Sequence, residues 1–163
     1  MDEEVRMAAM KKELFEASIR EYTPYMYRLA YGIVQNHEDA EDAVGETVLK
    51  AYEKLHTLRR PEAFRAWLMQ ITANEAKKIY SRNKRRTPVE DLEPYLPVFQ
   101  DEHHELWDVV MELDIGYRET ILLYFYEQFT IPEIAKVLHI PVGTVKSRLS
   151  RGKGLLREKL TGV

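Results

Sequence analysis

The chain has 163 residues, of which 45% are hydrophobic and 31% are charged, with a net charge of −3 and no cysteine. These values are typical of one domain or two small domains in a soluble protein, and they exclude disulfides and thiolate metal sites. Because no apolar stretch is as long as a membrane span and the N-terminus lacks the basic and apolar segments of a signal peptide, we expect a cytoplasmic protein.

Apolar residues at helical spacing predict three helices in the first half of the chain, over residues 14–34, 38–55 and 62–86. The second begins with several acids, which are favourable near the positive end of a helix dipole. The third ends in a basic segment. We therefore expect one helical domain over residues 11–86, preceded by an N-terminal extension over residues 1–10.

Two residues of this first domain have alternative interpretations. Pro24 lies inside the first predicted helix, where a proline can bend or divide the helix. Trp67 has a ring that can stack on a base, but its spacing with Phe64, Leu68 and Ile71 favours the core. We therefore assign Trp67 to the core of the first domain.

The second half of the chain begins with residues 87–101, which contain prolines among acids and are predicted to form an extended acidic linker. Helices are predicted over residues 102–113 and 118–128, with Phe125 in the core of the latter. Together with the C-terminal motif described next, they complete a second helical domain over residues 102–163. Because no segment has the pattern of a strand, the sequence predicts an all-α fold of two small helical domains.

The C-terminal motif consists of two helices separated by a tight apolar turn. Thr130 and Glu133 have the spacing of a capping box, and Pro132 lies in the first turn, where its missing N–H costs little. His139 occupies the turn position where glycine is commonest, so we expect it to tolerate a left-handed conformation. This pattern is typical of a helix-turn-helix, whose second helix enters the major groove of DNA.

The second helix of this motif has two distinct faces when successive residues are placed about 100° apart. Its narrow apolar seam consists of Val145, Leu149, Leu156 and Leu160. The opposite face is small, polar or basic, and it comprises Gly143, Lys146, Ser147, Ser150, Gly154 and Arg157. The alternative is an ordinary helical hairpin with a charged outer face, but such a helix rarely keeps serines and glycines opposite its core.

The charges form two basic segments that flank an acidic one. The basic residues of the first segment are Lys77, Lys78, Arg82, Lys84, Arg85 and Arg86. Those of the second are Lys146, Arg148, Arg151, Lys153, Arg157 and Lys159. The acids between them are Glu90, Asp91, Glu93, Asp101, Glu102 and Glu105. This distribution reconciles a negative net charge with binding to DNA.

Three motifs, in order along the chain, carry a resemblance to a known family. They are residues 39–52 (DAEDAVGETVLKAY), 64–74 (FRAWLMQITAN) and 140–151 (IPVGTVKSRLSR). They resemble the bacterial sigma-70 family, and more narrowly its small extracytoplasmic-function (ECF) group, which keeps only regions 2 and 4. The resemblance implies an alternative sigma factor that binds core RNA polymerase, directs it to the −35 and −10 promoter elements, and helps to melt the DNA.

By this resemblance, the helix that begins at Asp39 would contact the clamp helices of the polymerase β′ subunit. The acids implied in this contact are Asp39, Glu41, Asp42 and Glu46. Gly45 stands where the family usually has glutamine. A glycine inside a helix costs about 1 kcal/mol relative to alanine, and here it also removes a contact side chain. We therefore expect Gly45 to weaken binding to core polymerase.

The resemblance assigns recognition and melting of the −10 element to the third helix and to the loop before it, residues 56–62. Asn74, with both a donor and an acceptor, matches a position that reads the −10 region. The residues implied in holding the DNA backbone are Lys77, Lys78, Tyr80, Arg82, Lys84, Arg85 and Arg86. Melting requires a pocket for an unstacked base and cations along the displaced strand.

The −35 element is assigned to the second helix of the helix-turn-helix. The resemblance implies base contacts from Lys146, Ser147 and Ser150, phosphate contacts from Arg148 and Arg151, and Thr144 in the same set. Phosphate contacts set the position of the protein on DNA, whereas base contacts specify the sequence.

The implied partners are core RNA polymerase, through its β′ clamp helices and β flap, promoter DNA, and an anti-sigma factor that in this family is usually a membrane protein. The acidic linker resembles the segment that runs through the RNA exit path, with an unattached loop as the alternative. No cofactor and no metal are expected.

Other functional classes fit the sequence less well. The segment after His37 lacks the second histidine of a zinc protease motif, and the neighbouring His103 and His104 would point about 100° apart on a helix. We therefore expect no enzyme. A stand-alone DNA-binding regulator is the alternative, although an ordinary repressor normally needs a dimerisation element and has no need of a second basic helix.

Overall fold

The fold consists of helices throughout the part of the chain that the computed structural model describes, residues 3–83 and 104–162. The α-helices are α1 (Glu3–Val34), α2 (His37–Lys54), α3 (Phe64–Asn83), α4 (His104–Met111), α5 (Ile115–Ile121), α6 (Ile131–Leu138) and α7 (Val142–Thr161). The prediction of an all-α fold with two helical domains is confirmed. The predicted linker, residues 87–101, lies outside the described residues. None of the described helices is both long and apolar enough to cross a membrane.

The first domain is a bundle of α1, α2 and α3, which pack against one another. Met26, Leu29, Leu68 and Met69 are fully buried in its core. Helix α1 begins earlier than the sequence predicted, and it continues through Pro24 without being divided.

Local chemistry sets the ends of the next two helices. The Asn36 side chain caps α2 by accepting a hydrogen bond from the backbone N–H of Asp39 at 2.9 Å. A short 3-10 turn, Pro61–Ala63, precedes α3, which ends at Asn83 within the described residues. The predicted continuation of this helix to Arg86 lies outside them.

The burial of two apolar residues of the first domain can be compared with the helical spacing of the sequence. The Trp67 side chain is half-buried and packs against the core, with its ring centre 5.8 Å from that of Phe64. Leu14, the apolar residue at which the first predicted helix begins, is instead 65% exposed. It lies next to Phe15, which occupies the buried position at this end of the bundle.

The second domain contains an irregular turn that corrects one prediction. Helix α5 passes directly into a π-helical turn, Leu122–Tyr126, in which the backbone N–H of Glu127 donates to the carbonyl oxygen of Leu122 at 3.0 Å. The longer turn shifts the residues that follow out of phase with a regular α-helix. Phe125, which periodicity assigned to the core, is therefore 46% exposed. That prediction was wrong because it assumed one regular helix.

Helices α6 and α7 form the predicted helix-turn-helix. The Thr130 hydroxyl accepts a hydrogen bond from the backbone N–H of Glu133 at 3.3 Å, and the Glu133 carboxylate accepts one from the backbone N–H of Thr130 at 2.9 Å. This reciprocal pair is the predicted capping box. His139 ends α6 in the left-handed region, with a φ of 54°.

The inner face of α7 differs from the predicted seam at one position. Val145, Leu149 and Leu156 are buried as predicted, but Leu160 is 48% exposed. Gly152 takes the fourth buried position. Its missing Cβ allows Ile121 to approach closely, because a Cβ there would lie 3.2 Å from the Ile121 Cδ1.

The two domains pack directly on each other, through α1 with α5 and through α3 with α6. The buried Arg118 guanidinium donates to the carbonyl oxygens of Gly32, Ile33 and Leu113, with distances of 3.0 Å and 2.8 Å for the last two. The carbonyls in the last turn of a helix lack partners within the helix, so Arg118 satisfies those at the end of α1. Gly32 also permits this approach, since a Cβ at Gly32 would overlap a methyl group of Leu122.

Candidate nucleic-acid and polymerase interfaces

The outer face of α7 carries the residues predicted to bind the −35 element. Burial of Val145 and Leu149 fixes the rotation of α7 and directs the opposite face to solvent. Within the set, Lys146, Ser147, Ser150 and Arg151 are exposed, whereas Thr144 and Arg148 are half-buried. Among the described residues, no carboxylate forms an ion pair with Lys146 or Arg151. Their charges are therefore available to an anionic ligand.

Arg148 is held against the protein rather than directed to solvent. Its Nη1 lies 3.7 Å from Oε1 of Glu119, a residue of α5 whose side chain is 4% exposed. The Nζ of Lys77, on α3, lies 3.0 Å from Oε2 of the same carboxylate. Burial raises the pKa of Glu119, although the neighbouring cations Lys77, Arg148 and Arg118 act in the opposite direction. Glu119 thus joins one cation of the predicted −35 set to one of the predicted −10 set.

A second group of residues extends the basic face of α7. A pocket of about 380 Å³ is lined by Tyr124, Ile131, Lys146, Leu149, Ser150, Lys153, Gly154 and Arg157. The Nζ of Lys153 lies 5.3 Å from the ring centre of Tyr124 and 5.5 Å from that of Phe125, within the range of cation–π attraction. Because this lining contains lysine and arginine but no acid, the pocket favours an anion such as a phosphate. Sequence reasoning missed Tyr124, because the π-helical turn that presents it has no periodic signal.

The residues predicted to bind the −10 element lie along α3. Asn74, Lys78 and Arg82 are exposed, and Lys77 and Tyr80 are half-buried. The remaining members of the set, Lys84, Arg85 and Arg86, lie outside the described residues.

An open groove between α2 and α3 brings part of this set together. The groove has a volume of about 880 Å³, and its lining residues are Glu46, Lys50, Lys54, Ile71, Asn74, Glu75, Lys77, Lys78, Ser81 and Arg82. Lys50 and Lys54 come from α2, and sequence reasoning assigned them no role. Five of the lining residues are cations and two are acids, so the groove is basic. Its size and charge suit a segment of nucleic acid backbone.

Glu75 orients two of these cations. Its side chain is buried, and its carboxylate forms ion pairs with Lys50 and with Lys78, whose Nζ lies 3.3 Å from Oε1. Burial acts to raise the pKa of Glu75, but the hydrogen bonds from Lys50 and Lys78 outweigh it and the pKa is lowered. The hydrogen bond to Glu75 is also the main reason why the pKa of Lys50 is raised. Both shifts favour the charged forms of the pair.

The acidic residues predicted to contact core polymerase lie on α2. Asp42 and Glu46 are exposed, whereas the Asp39 carboxylate accepts a hydrogen bond from Asn83 at 2.9 Å. Glu41 pairs with His37 of the preceding turn at 3.2 Å. The same helix also exposes two large apolar side chains, Leu49 and Tyr52. The surface is therefore acidic and partly apolar, as expected of a protein-binding helix rather than of a DNA-binding one.

Gly45 lies on this exposed surface of α2. A Cβ built on Gly45 would meet no heavy atom within 4 Å. A side chain can therefore start from this position without its Cβ touching any described neighbour.

A third buried acid, Glu127, lies between two arginines of the first domain. One of its carboxylate oxygens lies 3.3 Å from Nε of Arg28, on α1, and the other lies 3.8 Å from Nη2 of Arg65, on α3. The Arg65 guanidinium also donates to the backbone carbonyl of Glu127. Burial raises the pKa of Glu127 to about 7, although both arginines act to lower it.

Comparisons with known proteins identify the two domains. Residues 18–86 match the family model of sigma-70 region 2, and residues 103–156 match that of sigma-70 region 4. The chain is 31% identical to the RNA polymerase sigma factor SigV of Bacillus subtilis, over 92% of this chain and 93% of that protein. It is 27% identical to the ECF RNA polymerase sigma factor SigW of Bacillus subtilis, over 85% and 84%. The chain belongs to the ECF group of the sigma-70 family.

Solved structures agree with this membership at the level of the fold. The sigma factor RpoE, solved in complex with the anti-sigma factor NepR from Bartonella quintana, aligns with a TM-score of 0.76 and 24% identity, covering 90% of this chain and 96% of RpoE. CnrH, solved in complex with the cytosolic domain of CnrY, aligns with a TM-score of 0.69 and 24% identity, covering 93% of this chain and 90% of CnrH. The family models and the curated relatives show that the ECF factor is an RNA polymerase sigma factor, and they do not support the stand-alone regulator.

Proposed function

We propose that this ECF factor binds core RNA polymerase through α2, reads the −35 element with α7, and binds and melts the −10 element with α3. The observation that carries this proposal is the separation of charge among three helices. The exposed acids of the predicted polymerase contact, Asp42 and Glu46, lie on α2, whereas exposed cations line the outer face of α7 and the groove between α2 and α3. One surface suits a protein partner, and two surfaces suit DNA.

For the −35 element, the proposed base contacts are Lys146, Ser147 and Ser150, which share the exposed face of α7. Hydroxyl and ammonium groups at the start of a recognition helix are suited to base edges in the major groove. Arg151 is the proposed phosphate contact on the same face, and Thr144 lies at the N-terminal end of the set. The pocket lined by Lys153 and Arg157 would hold a neighbouring phosphate, because its lining has no acid.

For the −10 element, the groove between α2 and α3 supports the proposal. Asn74 is exposed beside Lys78 and Arg82 on α3, so an amide that can read a base edge lies next to cations that can hold the strand. Lys50 and Lys54 extend the cationic lining onto α2. A strand separated from its complement would lie along this groove, with its backbone neutralised on both sides.

The proposed partners on the polymerase are the β′ clamp helices for α2 and the β flap for region 4. Asp42 and Glu46 are the acids most available for the first contact, while Asp39 and Glu41 are held by neighbours in the free protein. An anti-sigma factor is a further proposed partner, because the similar sigma factor RpoE was solved in complex with the anti-sigma factor NepR. The proposed site of action is the cytoplasm, and the proposed role is to direct the polymerase rather than to catalyse a reaction.

Gel filtration with bacterial core RNA polymerase tests the proposal. The unaltered chain is expected to elute with the core enzyme, whereas Asp42→Arg with Glu46→Arg is expected to elute separately, because charge reversal repels a complementary surface. The matched control is Glu13→Arg with Glu16→Arg, since both acids are exposed on α1 and have no proposed contact. Loss of co-elution in both double variants, or in neither, contradicts the assignment of α2.

A further inference from the structure

Glu119 is the observation that goes beyond this assignment. It is a buried acid on α5 of region 4, and its two oxygens lie 3.0 Å from Nζ of Lys77 and 3.7 Å from Nη1 of Arg148. Lys77 belongs to the proposed −10 surface and Arg148 to the helix proposed to read the −35 element. One carboxylate therefore occupies the place of a phosphate for cations from both DNA-binding helices.

The spacing of a promoter is incompatible with this arrangement. The names of the −35 and −10 elements place their centres about 25 base pairs apart, which corresponds to about 85 Å of duplex at 3.4 Å per base pair. In the packed domains, the two cations share a single carboxylate. Helices α3 and α7 therefore cannot occupy both elements of one promoter while Lys77 and Arg148 remain paired with Glu119.

We propose that Glu119 is a latch that holds regions 2 and 4 in a closed state and competes with DNA phosphate for Lys77 and Arg148. Opening of the domains would release both cations at the same time as it separates α3 from α7. This inference rests on the proposed function, since it takes the two helices as the DNA-binding elements.

Regions 2 and 4 also contact each other at the end of α1, independently of Glu119. Arg118, which precedes Glu119, donates to the carbonyl oxygens of Gly32 and Ile33 at the end of α1. Gly32 faces the fully buried Leu122, whose side chain leaves no room for a Cβ at Gly32. The carboxylate and the close backbone approach thus act on one interface by independent means, so each can be altered alone.

The distance between the domains is the direct readout. Because the chain has no cysteine, Glu53→Cys on α2 and Asp108→Cys on α4 provide two exposed and unique positions for fluorescent dyes. Energy transfer between the dyes reports domain separation without requiring a promoter or the polymerase. Failure of the latch is therefore distinguishable from failure of the proposed function, which is tested by binding to core polymerase.

Glu119→Gln in this labelled chain is the main variant, and Glu112→Gln is its matched control. Glu112 also loses one negative charge and also pairs with a cation of α7, Lys159, at 3.1 Å, but that pair is exposed and lies within one domain. We expect lower energy transfer in Glu119→Gln than in the unaltered chain, and no change in Glu112→Gln.

Gly32→Leu opens the same interface without changing a charge. Leucine is a better helix former than glycine, so α1 is not weakened, but the added side chain overlaps Leu122 of region 4. This variant is the reference for an open interface in both readouts, and circular dichroism shows whether each variant folds. We expect the same loss of energy transfer as in Glu119→Gln.

Binding to random-sequence duplex DNA provides the second readout. A chain that is open only part of the time binds with its affinity reduced by its open fraction, so an open fraction of about 10% predicts about tenfold tighter binding in both opened variants. Tighter binding than in Glu112→Gln, together with lower energy transfer, supports the latch. Unchanged energy transfer in a folded Glu119→Gln overturns it, and so does domain opening without a gain in affinity for DNA.

Discussion

The cations of region 2 and those on the outer face of α7 are held in opposite ways. Lys50 pairs with the buried Glu75, Lys77 pairs with the buried Glu119, and Arg65 lies beside the buried Glu127. Buried acids thus orient these three cations of region 2. Lys146 and Arg151 on α7 have no such partner among the described residues. In region 2, buried acids fix the positions of these cations in the free protein. On the outer face of α7, Lys146 and Arg151 have no acid partner among the described residues, so their side chains can adjust to the DNA.

The largest expected effect is the pH dependence of the free energy of unfolding that Glu127 causes. Its pKa is raised to about 7 in the folded chain from a reference value of 4.5, so between these values the folded state binds more protons than the unfolded state. The free energy of unfolding is therefore expected to fall as pH rises from about 4.5 to about 7, by at most about 3 kcal/mol at 1.36 kcal/mol per pKa unit.

Urea denaturation across this pH range measures the effect, with Glu127→Gln as the variant that lacks the titrating group. The quantity of interest is the difference between the two chains, because other acids and the histidines titrate in both. A difference that stays constant from pH 4.5 to pH 7 contradicts the raised pKa of Glu127.

The next largest effect is expected at Glu75, the buried acid that pairs with the groove residues Lys50 and Lys78. Glu75→Gln leaves Lys50 without its carboxylate partner, and we expect the free energy of unfolding to fall by about 1–3 kcal/mol, the usual range for a buried hydrogen bond to a charged group. The control is Glu158→Gln on the exposed surface of α7, where a substitution usually changes stability by less than about 0.5 kcal/mol. Equal effects of Glu75→Gln and Glu158→Gln on the denaturation midpoint would contradict a stabilising role of the buried Glu75.

The exposed face of α7 can be tested by comparing a residue proposed to contact a base with one proposed to contact a phosphate. Ser147→Ala is expected to change the preference among promoter sequences, at a cost of about 1 kcal/mol for a lost neutral hydrogen bond. Arg151→Ala is expected to weaken binding to all sequences about equally and to reduce the slope of log affinity against log salt by about 1. Fluorescence anisotropy with a set of duplexes measures both quantities. Uniform loss over all sequences in both variants contradicts the division into base and phosphate contacts.

The smallest expected effect is at Gly45, on the surface of α2 proposed to contact core polymerase. Gly45→Gln restores a contact side chain at an exposed and open position, and it improves helix propensity by about 0.5–1 kcal/mol. We expect tighter binding to core polymerase in competition with the unaltered chain. Gly45→Ala separates the two causes, because it improves the helix without restoring the side chain. Binding by Gly45→Gln that is no tighter than that of the unaltered chain contradicts a role for this position.

Local signals predicted the fold well because they depend on neighbouring residues. The capping box of Thr130 and Glu133 and the left-handed corner at His139 each follow from residue types a few positions apart. The exposed face of α7 follows from the spacing of Val145 and Leu149. Most of the residues predicted to bind the −35 element therefore lie on the exposed face of α7, and their contacts with DNA stay a prediction.

Contacts between distant parts of the chain were not predicted. Arg148 was expected to reach for phosphate from the side of α7, but the structure pairs it with Glu119. Lys77 and Glu119 are far apart in sequence, and nothing in either segment indicates that the two domains meet there. The groove residue Lys50 was missed for the same reason, since its role depends on how α2 packs against α3.

The π-helical turn Leu122–Tyr126 has a consequence for the comparison of sequences. A wider turn accommodates one residue more than an α-helix would, so the apolar pattern before it and the pattern after it belong to different phases. An alignment that allows no gap at this point assigns Phe125 to the wrong side of the helix in any relative with a regular turn. Relatives should therefore be aligned separately on the two sides of Leu122–Tyr126 before residues of their recognition helices are equated.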